Sequence, residues 1–366
     1  MTKSQSLQTL ENTKPSTSEH QQLLREIAEL NTSAQKIRSR YPEKARKLYK
    51  KALALSGNND LFLTEKAASL AGMAFLSNKN GDVDIAVKQN FDAISLLVKS
   101  SHSSAIIDAY TNLAWIFHTF GDYSGALEYA NNALRAAEEL GDKFWLAIAL
   151  DTYGFCFFSD ENDINEASVY QEKAIRILGE IKNYNSQARV YNNLADTHKR
   201  ANNLDTALSF SQISLELATK ISSPYVKALA SGTYSEILIL MGRFSQAKKY
   251  LDEISGELSD EVPIMFRAFI LLSLAQIYTK DAKTKDAKLS LLEAIEIFQS
   301  AKSISQLSAA HQMLFEIYEQ EQDYVQAIKC LKISSELNEK VLSEKSSKQL
   351  YANKFVAKLE IARRDA

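Results

Sequence analysis

The sequence predicts an all-α protein, an α-α superhelix of about eight helical hairpins followed by a long C-terminal helix. Three observations carry this reading. Apolar residues recur at helical spacing along nearly the whole chain, and strand-like alternation bounded by turn signals is absent. Only four prolines and 11 glycines occur in 366 residues, and Pro42, Pro224 and Pro263 stand where helices are expected to begin, a place where the missing N–H costs nothing. Small residues, finally, return at a fixed long period.

That period defines the elements. Ala45, Ala86, Ala126, Ala167, Ala207, Ala247, Ala287 and Ala327 follow one another at intervals of 40 or 41 residues. Seven residues after each come Ala52, Ala93, Ala133, Ala174, Ser214, Ile254, Ala294 and Ser334. Twelve residues before (thirteen in the fourth unit) stand Ser33, Ala74, Ala114, Gly154, Ala195, Ser235, Ala275 and Phe315. A small side chain where two antiparallel helices cross lets the backbones approach to the short end of about 8–10 Å. Leucine at Ala126 or Ala207 is therefore expected to overpack the crossing, and Ala130, one turn on, to tolerate change better. The turn within each unit reads NGDVD, FGDYS, NNLDT, MGRFS or EQDYV: Gly or Asn suits the left-handed residue that ends a helix, and Asp suits the cap of the next. The insertion in DENDINEA and the exchange of a small residue for Phe315 each predict a local distortion.

The unit NLAWIFHTFGDYSGALEYANNAL closely resembles the tetratricopeptide repeat, and the resemblance spans roughly residues 20–342. The period of about 40 residues exceeds the 34 of that repeat and resembles the longer variety in bacterial signalling and regulatory proteins. Such hairpins cannot bury their apolar faces alone; they stack into a solenoid with a concave surface, lined here by the first helix of every hairpin. The chain divides into a disordered polar tail (1–19), a tetratricopeptide-like solenoid (20–342) and a C-terminal capping or signalling helix (343–366).

From Tyr324 onward no Gly or Pro interrupts the chain, and the apolar positions thin to a stripe including Leu350, Phe355, Val356 and Leu359. The layout resembles the helix joining tetratricopeptide sensor regions to output domains in diguanylate cyclases, adenylate cyclases and histidine kinases. The segment is expected either to cap the solenoid or to pair with its copy in a homodimer.

Composition removes several function classes. Forty-three basic residues against 45 acidic ones give a net charge of −2, without the basic footprint of a nucleic-acid binder. The longest apolar stretch, IMFRAFILLSLAQIY, is interrupted by Arg267 and Ser273 and is shorter than the roughly 20 residues a membrane helix needs. Cys156 and Cys330 suggest neither a disulfide framework nor a metal knuckle, which fits a reducing, cytoplasmic setting. The five histidines show no metal-ligand spacing, and no glycine-rich phosphate loop follows a strand. No cofactor, metal or catalytic role is expected.

The concave surface supplies the binding candidates: Asp108, Asn112, Trp115 and His118 in the third unit, Asp151 and Phe155 in the fourth, Arg189, Asn192, Asn193, Asp196 and Lys199 in the fifth, Glu236 in the sixth. Asn112 and Asn193 occupy the same place in their repeats. In peptide-binding arrays of the resembled family, asparagines there hold the ligand's backbone, because one carboxamide both donates and accepts. Each is read alongside a plainer role: asparagine bonding its neighbouring turn, Trp115 and Phe155 as core, and Arg189, Asp196 and Lys199 as a solvated ion-pair ladder. The expected function is a non-enzymatic protein- or peptide-binding solenoid, the sensory or scaffolding region of a bacterial signalling protein. The alternative is a peptide-pheromone-responsive regulator of the quorum-sensing type.

Overall fold

The computed structural model describes residues 17–97, 103–119, 121–157, 164–257, 262–301 and 303–343. The expected polar tail, apart from its last three residues, most of the C-terminal helix and the first half of the DENDINEA insertion lie outside them. Sixteen α-helices are present among the described residues, with no strand: α1 (Thr17–Ile37), α2 (Pro42–Ser56), α3 (Leu63–Lys79), α4 (Val83–Leu96), α5 (Ser104–Thr119), α6 (Tyr123–Leu140), α7 (Lys143–Phe157), α8 (Ile164–Glu180), α9 (Tyr184–Arg200), α10 (Leu204–Lys220), α11 (Pro224–Leu240), α12 (Phe244–Glu257), α13 (Met265–Lys280), α14 (Thr284–Ser300), α15 (Ile304–Gln320) and a final helix, α16, over 324–343. They form eight hairpins, each odd helix paired with the even helix after it, and each even helix through α14 packs against the odd helix that follows.

The registered small residues sit at the crossings. Ala45, Ala86, Ala126, Ala167, Ala207, Ala247 and Ala287 are 0% exposed. A Cβ added at Gly154 of α7 would lie 2.6 Å from the carbonyl oxygen of Ala167 in α8, so two of the aligned small positions face each other across one hairpin. At the ends of the array the register differs. In α1 the buried residue is Ala34 rather than the exposed Ser33, and α1 ends at Ile37. In α15 Leu314 is buried and Phe315 half-buried, since a phenyl ring does not fit where an alanine does.

The turns repeat as regularly. Gly81, Gly121, Asn202, Gly242, Ala282 and Gln322 all have positive φ, between 56° and 83°, each five residues before its registered alanine. The amide of the residue after each positive-φ position closes back on the helix, as in Asp122 N to Phe117 O (3.0 Å) and Lys283 N to Tyr278 O (2.8 Å), the bonding of a Schellman cap. Ala282 and Gln322 show that the turn is imposed by the hairpin even without Gly or Asn. Asp122 and Asp323 then cap the next helix, accepting from Gly125 N and Gln326 N. Pro42 and Pro224 open α2 and α11 as expected, whereas Pro263 stands two residues before α13.

Ala126→Leu and Ala207→Leu are each expected to cost about 1–3 kcal/mol through overpacking. The expected tolerance of Ala130 does not hold: it is 0% exposed and belongs to the main core cluster, because the even helices bury a second face against the following hairpin. Ala130→Leu should therefore cost as much. Urea melts of the three variants check this; parental stability in all three would contradict the assigned register.

Candidate functional site

The odd helices of the first six hairpins face a common cavity of about 500 Å³. Its wall draws on α1 and the residues just after it (Gln35, Lys36, Arg38), α3 (Phe75), α5, α7, α9 and α11 (Tyr225). Every helix in that wall is the first of its hairpin, so the concave surface is the one the repeat predicts. The superhelix is tight enough for contacts across it: Lys79 of the second hairpin donates to the Tyr225 hydroxyl of the sixth (3.4 Å).

Asp108, Asn112, Trp115, Asp151, Arg189 and Asn193 border this cavity. Phe155, Asn192, Asp196 and Lys199 do not. The ring of Phe155 lies 4.3 Å from Trp115, and the Arg200 guanidinium covers it at 4.3 Å. Arg200 also donates to the Phe155 carbonyl and to Nε2 of His118 (3.1 and 3.0 Å). Burial, then the nearby Arg200 charge, push the His118 pKa down to about 4, so the ring is a neutral acceptor at pH 7. Lys199 bridges Asp196 and Glu236, both at 2.7 Å, an ion-pair ladder along the helices. Asn192 is buried, and its carboxamide oxygen has no hydrogen-bond partner among the described residues.

Within the cavity the acidic groups are already engaged. Asp108 receives both arms of the Arg38 guanidinium, at 2.5 and 2.8 Å, and that guanidinium lies 4.2 Å over Phe75. Burial opposes the charge on Arg38, but the Asp108 carboxylate outweighs it and holds the guanidinium pKa above its usual range. Asp151 accepts from Asn193 (2.8 Å) and from Gln171 of α8 (3.3 Å). Burial raises its pKa to about 6, against the pull of those two bonds and of Arg189. Lys36 and Arg189, by contrast, have no ion pair among the described residues.

The two aligned asparagines differ. Asn112 gives its amide to the Ala71 carbonyl (3.0 Å) and to Oδ1 of Asn90 (3.2 Å), using both N–H groups to tie α5 to the preceding hairpin; its carbonyl oxygen is what remains for a ligand. Asn193 uses one N–H on Asp151 and keeps the other. Sequence reasoning did not reach the first-hairpin residues Gln35, Lys36 and Arg38, or Phe75, Trp145 and Tyr225. Except for Arg38, which follows α1, their position on first helices was the available signal; the curvature that gathers them was not.

Asp151 supplies a prediction. Its folded pKa lies above the usual 3.8, so the folded state holds the proton more tightly than the unfolded one. Stability is greatest below the unfolded pKa and falls as pH rises through the window from 3.8 to about 6, by on the order of 3 kcal/mol. Asp151→Asn removes that slope, so the variant should gain on the parent as pH rises across the window. Urea melts on either side test this, and a parent–variant difference independent of pH would contradict it.

No group of three or more His, Cys, Asp or Glu side chains suited to a metal occurs among the described residues. Cys156 is 1% exposed, and burial pushes its thiol up to about 12, far from a nucleophile's range. No described helix is long and apolar enough to cross a membrane.

The family model of the tetratricopeptide repeat matches residues 107–140, which cover most of α5 and all of α6, and that of anaphase-promoting complex subunit 5 matches residues 225–321. No curated protein matches the sequence. Similar solved structures include a Rap protein complexed with competence and sporulation factor, at 15% identity over 92% of this chain and 93% of that one, with a TM-score of 0.65. NprR in complex with its cognate peptide NprX aligns at 14% identity over 96% and 100%, TM-score 0.56. A signal transduction ATPase with numerous domains and a tetratricopeptide repeat sensor, from Pyrococcus horikoshii, aligns at 15% identity over 90% and 55%, TM-score 0.57. At these identities the likeness establishes the fold. Repeat, architecture and comparisons together give the chain the fold of a tetratricopeptide-repeat solenoid.

Proposed function

We propose that the chain is a non-enzymatic, cytoplasmic binding module that captures a short peptide segment in the cavity of its first helices, as the sensory or scaffolding part of a bacterial signalling protein. The observation that carries this is the cavity itself. At about 500 Å³ it falls in the range of about 300–1,000 Å³ typical of ligand pockets, which admits a few residues and excludes a folded domain. Its aromatic walls offer apolar contact, and the carboxamides of Asn112 and Asn193 offer polar contacts to a peptide backbone. Two of the similar folds, the Rap protein and NprR, were solved with competence and sporulation factor and with a cognate peptide. That supports peptide as the ligand class and keeps the peptide-responsive regulator as the second reading.

The ligand carries an acidic group. Asp108 is neutralised by Arg38 and Asp151 is held by Asn193 and Gln171, whereas Lys36 and Arg189 reach the cavity without a direct ion pair among the described residues, Arg189 acting on Asp151 only at longer range. A ligand carboxylate on Arg189 forms a charge-assisted bond worth about 1.5–3 kcal/mol. The two tryptophans of the chain, Trp115 and Trp145, both border the cavity, so their emission reports occupancy directly. Titration with pooled short peptides bearing a free carboxyl terminus is expected to change that emission, their amidated counterparts to act more weakly, and Arg189→Ala to remove the difference. No change with either pool, or equal response to both in the parent, would overturn the respective part of the reading.

A further inference from the structure

Two cations of the concave surface act on one phenol, with no carboxylate to meet them. Lys79, the last residue of α3, donates to the Tyr225 hydroxyl of α11 (3.4 Å) from 146 residues away in sequence. Arg189 of α9 borders the same cavity as Tyr225 and acts on the same hydroxyl through space. Tyr225 is buried, and its ring packs edge-on against Phe266 at 5.7 Å. Burial alone raises a phenol's pKa, yet Lys79 and then Arg189 outweigh it and hold this one below its usual value. That direction requires a positive field which no neighbouring anion of the protein cancels.

The remaining wall supplies no such anion. Asp108 and Asp151 are its only acidic residues. Asp108 is committed to Arg38. Asp151 is committed to Asn193 and Gln171 and feels Arg189 only at longer range. Neither Lys79 nor Arg189 has an ion pair among the described residues. The Lys79 ammonium lies 5.7 Å from the centre of the Phe75 ring, the same ring that carries Arg38. The Tyr225 hydroxyl accepts from Lys79, and its own proton has no acceptor among the described residues. A guanidinium fork, an ammonium and a phenolic O–H are therefore all available as donors. A carboxylate, with two oxygens and about four acceptor sites, can receive all three.

We propose that Lys79, Arg189 and the Tyr225 hydroxyl form an anion subsite, built from the second, fifth and sixth hairpins, that seats the carboxylate of the captured segment. That a peptide supplies the carboxylate rests on the function proposed above; the subsite itself does not. Acetate tests it on the full chain, with tyrosine isotope-labelled at Cζ and the Tyr225 resonance assigned by its loss in Tyr225→Phe. Acetate replacing chloride at constant ionic strength is expected to raise the midpoint of the Tyr225 titration by about one unit, because a bound anion favours the neutral phenol. Acetamide should leave the midpoint in place. Lys79→Met, at an exposed position, and Arg189→Met should each raise the midpoint before acetate is added and abolish the response to it. Lys79→Met should also weaken the tryptophan response to free-carboxyl peptides about tenfold and leave that to amidated ones unchanged. A midpoint indifferent to acetate, moved equally by acetamide, or still responsive in both methionine variants overturns the subsite, even where peptides change the tryptophan emission. A midpoint that responds to acetate in a chain no peptide affects upholds the subsite and overturns the peptide reading alone.

Discussion

Asp108→Ala is expected to destabilise the solenoid by about 3–5 kcal/mol, the cost of leaving one half of a buried ion pair alone. Arg38 and Asp108 are 70 residues apart in sequence and joined by two hydrogen bonds, with side chains 14% and 9% exposed. Removing the carboxylate strands a guanidinium that cannot lose its proton at any ordinary pH and that burial already disfavours. Arg38→Met in the same chain should restore most of the loss, because the apolar replacement rests on Phe75 and asks for no counter-charge. Urea denaturation of the single and double variants reads both effects. A single variant within about 1 kcal/mol of the parent would place the pair among ordinary surface bridges.

Phe298→Ala should cost a similar amount, about 3–5 kcal/mol, but its effect should be local. Phe298 is 0% exposed, in a cluster formed by α13, α14, α15 and α16. Because each repeat contacts only its neighbours, stability is close to a sum over hairpins and interfaces. Emptying this position is therefore expected to unfasten the last hairpins before the rest. Hydrogen exchange should show α13 to α16 losing protection while α5 to α8 keep theirs. Uniform loss along the chain would mean that the array unfolds as one unit.

The hairpins were legible in the sequence because a helix crossing leaves a strict signature, a small side chain at a place where no other fits. Ala86, Ala126 and Ala207 carry that signature on their own. Where it misled at Ala130, a second contact was at work, since that residue packs in the main core against the following hairpin. The left-handed turns at Ala282 and Gln322 were hidden because the hairpin imposes a conformation their side chains do not advertise. The site was legible only in part. Asp108, Asn112, Asp151, Arg189 and Asn193 were readable as positions on first helices. That Arg38 crosses to Asp108, or Lys79 to Tyr225, depends on small inter-repeat rotations accumulated over several units, and no single residue encodes that sum.

The most direct test of the central claim, that first helices bind a ligand in one cavity, is hydrogen exchange on the full chain with and without saturating free-carboxylate peptide selected by the tryptophan response. Slowed exchange in α5, α7 and α9, with α6, α8 and α10 unchanged, is the predicted result. Protection confined to the even helices, or spread evenly over both sets, would contradict it.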